Sequence, residues 1–130
     1  MKNGLYTTIF VIALGILCHF GLPWWSMAPI GFVAALLFPQ SVGLAFSTAF
    51  AAGAVLWYAS ALLFDTANGG MLSAKVGQLF VGLKTWQLLT MTGFLGGILA
   101  GMGALAGALV RTLTDTKPRR YRGKRTLIVK

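Results

Sequence analysis

The chain has 130 residues, 57% of them hydrophobic and 10% charged, with eleven basic residues against two acidic ones. A soluble domain carries about 25% charged residues, so this composition excludes an ordinary water-facing surface. The net charge of +9 is uneven, because eight of the eleven basic residues lie from Arg111 to the end, and it therefore describes a tail and not a nucleic-acid-binding domain.

After the short positive start at Lys2, residues 5–22 form an apolar stretch of spanning length. A cleaved signal peptide is the rival reading, with Ser26-Met27-Ala28 as its small-x-small site. The run is long for a signal core, and Pro23-Trp24-Trp25 is an unusual lead into a cleavage point, so a first transmembrane helix is expected. Pro23 breaks it, and Trp24 and Trp25 suit the boundary between headgroups and acyl chains. Residues 24–38 are apolar but cover only about 22 Å as a helix, short of the roughly 30 Å hydrocarbon core. They form either a thin span or a re-entrant half-helix, ended by Pro39-Gln40-Ser41.

Residues 42–64 make a full-length span with a small-residue ridge, Ala45, Ala49 and Gly53, at four-residue spacing. Trp57 and Tyr58 lie towards its far end as further interface anchors, and Asn68-Gly69-Gly70 signals a turn. Residues 71–83 change pattern. Leu72, Val76, Leu79, Phe80 and Leu83 recur at three- and four-residue spacing, which predicts a short amphipathic helix, either in the membrane surface or packed on the bundle. Lys84 and Trp86 anchor the start of the last span, 88–113.

That last span is dense in glycine, a residue that costs a helix in water about 1 kcal/mol each against alanine. In lipid the same residues let a second helix approach closely. At helical spacing Gly93, Gly97, Ala100, Gly101, Ala104, Gly107 and Ala108 share one side, while Phe94, Ile98, Met102, Leu105 and Leu109 share the other. Gly93, Gly97, Gly101, Ala104 and Gly107 are the expected helix-packing residues, with the ridge Ala45, Ala49 and Gly53 as their partner.

The tail holds Lys117, Arg119, Arg120, Arg122, Lys124 and Arg125 and should be cytoplasmic by the positive-inside rule. With four crossings the N-terminus is cytoplasmic too, and Trp24, Trp25, Trp57, Tyr58 and Trp86 gather near the outer face. The tail suits anionic lipid headgroups, or an acidic protein partner helped by the β-prone Thr126-Leu127-Ile128-Val129. One tyrosine among the basic residues is little basis for nucleic-acid stacking.

Chemistry-bearing residues are few. His19, Asp65 and Asp115 are the candidates for acid–base work, and a His19–Asp65 pair is geometrically open to four crossings, as an interface hydrogen bond more than as a proton relay. No nucleophile–base arrangement, phosphate loop or metal-ligand spacing is present, and Cys18 stands alone. Neither an enzyme nor a cofactor is expected. The sequence reading is thus an all-α membrane protein: a bundle of about four transmembrane helices over residues 1–113, with an amphipathic connecting helix, and a basic tail over 114–130. It is expected in a bacterial inner membrane, as an accessory or assembly subunit of a membrane complex or as a homo-oligomer. The alternative is a small oligomeric channel or transporter with Thr7, Thr8, Ser47, Thr48, Ser60, Thr90 and Thr92 as its sparse polar line.

Overall fold

A computed structural model describes residues 2–19, 21 and 23–114, with only the backbone of His19. Among these residues the structure is helical, with no strand: α1 (Lys2–His19), a 3₁₀ turn (Trp24–Ser26) continuous with α2 (Met27–Leu37), α3 (Val42–Ala67), α4 (Met71–Leu79) and α5 (Thr85–Thr114). Two of them, α3 and α5, are long and apolar enough to cross a membrane.

Local chemistry sets the breaks. Pro39 forces the residue before it out of the helical region, and Phe38 is extended at φ −112° and ψ 95°, which ends α2. The α3 terminus is a Schellman motif: Gly70 N–H donates to Asp65 O at 2.9 Å and Gly69 N–H to Thr66 O at 3.1 Å. Gly69 takes the left-handed conformation this turn needs, at φ 61°. At the start of α5 the Gln87 side chain accepts a hydrogen bond from the Lys84 backbone N–H at 2.8 Å, half of a capping box.

Contacts fix the helix directions. Asn3 Nδ2 donates to Pro39 O at 2.7 Å, so the start of α1 meets the end of α2. Gly4 faces Thr48 and Gly15 faces Leu56, which makes α3 parallel to α1. Gly93, Gly97 and Gly101 meet Tyr58, Phe50 and Phe46, so α5 returns antiparallel to α3. The helices thus pass alternately up and down, and α1 and α5 sit diagonally, each packed on α2 and α3. The start of α1, the α2–α3 turn and the end of α5 share one end, here called proximal; the 3₁₀ turn, α4 and the start of α5 share the distal end.

Several expected boundaries move. The first helix covers 2–19 instead of 5–22. The third runs to Ala67 instead of 64, up to its glycine cap, and the last begins at Thr85 instead of 88, at the Lys84–Gln87 cap. The 24–38 segment is a one-way passage antiparallel to α1, not a hairpin that turns back. The helix expected over 71–83 stops at Leu79, because Val81 and Gly82 take positive φ of 59° and 83°. The bundle covers its apolar stripe only in part, at half-buried Val76 and Leu83. Gly77 is the buried residue of α4, while Leu72, Leu79 and Phe80 are exposed, Leu79 at 83%.

The interior is built of small residues. Ala34, Ala35, Ala45, Ala49, Ala100, Ala104 and Ala108 have no exposed surface, and the largest fully buried side chains among the described residues are Val11 and Thr7. Large apolar side chains face outwards instead: Leu17 is 68% exposed, Leu63 69% and Phe94 57%.

Candidate functional site

The two seams of α5 carry most of the packing. On the α3 side, a Cβ added at Gly97 would lie 2.9 Å from Phe50 O, and one at Gly93 2.9 Å from Ala54 O. Gly101 lies under the Phe46 ring, and Gly96 lies under Trp57. On the α2 side the approach is closer still: a Cβ at Gly103 would sit 2.0 Å from Ala28 O and one at Gly107 2.4 Å from Phe32 O. Ala100 lies between the seams, with its carbonyl against Gly31 and its methyl against Gly53. Such contacts bring backbone to backbone, which is how small residues hold helices together where burying leucine gains nothing.

The expected single small face is therefore two faces. Gly93, Gly97 and Gly101 meet α3, but Gly107 meets α2, and Gly96 and Gly103 join the seams without having been expected. Of the ridge on α3, Gly53 touches α5, and Ala45 and Ala49 lie in the central cluster that also holds Ala100, Ala104 and Ala108 of α5. The α3 side of that seam is largely Phe46, Phe50, Ala54 and Trp57, so large side chains fill the space that glycines leave. Helical spacing alone flags Gly103; which neighbour meets each face is invisible in it.

The proximal end holds a polar cluster. Arg111 on α5 reaches back to the end of α2, where Nη1 donates to Ala35 O at 2.6 Å and Phe38 O at 3.4 Å, and Nη2 donates to Gln40 O. A helix leaves its last carbonyls without partners, and a cation beside them also meets the negative end of the helix dipole. Gln40 Nε2 donates to Thr7 Oγ1, and Thr48 Oγ1 lies 3.5 Å from Gln40 Oε1. Arg111, grouped by sequence with the tail, is thus an internal brace joining α5, α2 and the α2–α3 turn, while Gln40 ties that turn to α1.

The distal end is apolar with one acid. Asp65, in the last turn of α3, is half-buried; its Oδ1 is shielded from solvent and has no hydrogen-bond partner. It lines a groove of about 540 Å³ between α3, α4 and α5, with Asn68, Leu72, Val76, Leu88 and Leu95. A cavity of about 390 Å³ adjoins it where α2 falls short of the distal end, lined by Cys18, Ser26, Met27, Trp57 and Ser60. Trp24, Trp25 and Trp86 are exposed at this end and Tyr58 partly so, while Trp57 is half-buried with its ring over Gly96.

The His19 side chain and the tail residues Lys117, Arg119, Arg120, Arg122, Lys124 and Arg125 lie outside the described residues, and so does the expected His19–Asp65 pair. Among the described residues no group of three or more His, Cys, Asp or Glu could hold a metal ion. No family model, curated protein or solved structure matches this chain.

Proposed function

We propose that this chain is an integral membrane protein of four helical passes that acts through packing, as an accessory or assembly subunit of a membrane complex or as a homo-oligomer. The observation that carries the reading is the inverted distribution of side-chain size, with alanine and glycine inside and leucine and phenylalanine outside. In water, so large an apolar surface is an aggregation hazard. In lipid it costs nothing, and close backbone approach supplies the cohesion. Because the α5 glycines are used within the chain, a partner meets the outer faces, α4 or the basic tail, and not the glycine seams.

In this reading the proximal end, with both termini, faces the cytoplasm of a bacterial cell and the tail meets anionic headgroups or an acidic partner. A channel gains little support. Thr7, Thr8, Ser47, Thr48, Ser60, Thr90 and Thr92 each donate to a carbonyl three or four residues back on their own helix, so their donors are satisfied locally.

Alkaline extraction of membranes from expressing cells tests the first step: the chain should stay with the lipid, and release into the supernatant overturns the membrane reading. A pull-down in mild detergent through a C-terminal tag, followed by native mass, tests the second. A stoichiometric foreign protein or a defined homo-oligomer is expected; a clean monomer overturns the packing role.

A further inference from the structure

We propose that the distal groove between α3, α4 and α5 binds an ethanolamine phospholipid, with the lipid ammonium on Asp65 and the upper acyl chain along the apolar wall. The inference rests on the membrane reading above. The groove, at about 540 Å³, lies in the range of built ligand sites, roughly 300–1,000 Å³. Its wall is Leu72, Val76 and Phe80 from the α4 segment and Leu88, Met91 and Leu95 from α5. That wall is open to the surroundings, since Leu72, Phe80, Met91 and Leu95 are all more than half exposed.

The acid decides the head chemistry. Asp65 is the one charged residue lining the groove, and its side chain makes no hydrogen bond or ion pair among the described residues. An acyl chain alone would fill the wall and leave that carboxylate without a counter-charge. A primary ammonium answers it with three N–H donors and a positive charge; a choline head has the charge but no N–H. Asp65 stands in the last turn of a 26-residue helix, the depth at which a headgroup meets the acyl region. Exposed Lys75 on α4 and Lys84 beside the groove-lining Leu83 supply positive charge for the lipid phosphate.

The test is native mass spectrometry of the full chain in mild detergent, titrated with phosphatidylethanolamine, phosphatidylcholine or phosphatidylglycerol of identical acyl chains. Retention of the ethanolamine lipid should exceed that of the choline lipid roughly tenfold, the worth of one charge-assisted hydrogen bond. Asp65→Asn should remove the preference. Val76→Trp, which keeps the acid and fills the groove, should lose the bound lipid. Equal retention of ethanolamine and choline lipids overturns the proposal. So does an undiminished preference in Asp65→Asn, or in Val76→Trp where Asp65→Asn fails to fold. Stronger retention of phosphatidylglycerol makes the site a phosphate site, and a dimer that excludes every lipid makes the groove a subunit contact; either result overturns it too. Alkaline extraction of the same preparations separates the two readings: a released chain sinks the membrane reading, whereas a retained chain without preference sinks the site alone.

Discussion

The guanidinium of Arg111 donates a 2.6 Å hydrogen bond to the carbonyl oxygen of Ala35, a residue 76 positions earlier in the chain. With Phe38 O and Gln40 O also accepting from it, one side chain from the end of α5 closes the end of α2. The short second helix is thus held both by its close seam with α5 and by this brace at its end.

Arg111→Gln should therefore destabilise the bundle by about 2 kcal/mol, in the range of hydrogen bonds to charged groups. Arg111→Lys should recover part of this, because an ammonium reaches one carbonyl at a time where the guanidinium fork reaches several. Thermal unfolding followed by circular dichroism reads both variants. Equal midpoints for all three proteins would show that the brace holds nothing.

The glycines should rank by what a methyl group would meet. Gly103→Ala places a carbon 2.0 Å from the Ala28 carbonyl oxygen, which is backbone and cannot swing aside. It should cost about 3 kcal/mol or prevent assembly of α2 on α5. Gly97→Ala, at 2.9 Å from Phe50 O, should cost less. Gly43→Ala meets nothing within 4 Å in α3 and should stabilise by roughly 0.5 kcal/mol through helix propensity. Denaturant midpoints check the order, and a harmless Gly103→Ala would refute the close α2–α5 seam.

Two left-handed positions should respond in opposite directions. Gly69 at φ 61° has open space around it, so Gly69→Val costs about 1 kcal/mol through backbone strain alone. Val81 stands at φ 59° with its side chain fully exposed, so Val81→Gly should gain a similar amount. Both shifts are readable as unfolding midpoints. A loss of stability in Val81→Gly would mean that the turn after α4 is built differently.

Thr7 and Thr8 separate a shared hydroxyl from a private one. Thr7 is fully buried, donates to Asn3 O and accepts from Gln40, whereas Thr8 donates only to Gly4 O. Thr7→Val should cost about 1–2 kcal/mol because the Gln40 amide loses its acceptor. Thr8→Val should stay within about 0.5 kcal/mol of the wild type. Matching costs for the two would remove Gln40 from the account.

Much of the secondary structure is legible because its causes are local. Pro23, Pro39 and Asn68-Gly69-Gly70 break the apolar runs within a few residues of where the helices stop, since each acts on its own backbone. The misplaced ends of α4 and α5 have local causes too, but weaker signals: a valine in a left-handed turn and a glutamine that caps a lysine N–H.

By itself the sequence determined an all-helical chain with small residues at helical spacing and too little charge for a water-facing surface. The tertiary structure decided where those residues are used: Gly93, Gly97 and Gly101 against α3, Gly103 and Gly107 against α2, and Arg111 as a cap instead of a tail residue. It also decided that Ala45 and Ala49 face the centre and that the Trp57 ring lies over Gly96. The physical reason is that a glycine face states how closely something can approach and carries no mark of what approaches. The partner is selected by contacts between residues 35 to 76 positions apart, and these exist only once α5 is seated between α2 and α3.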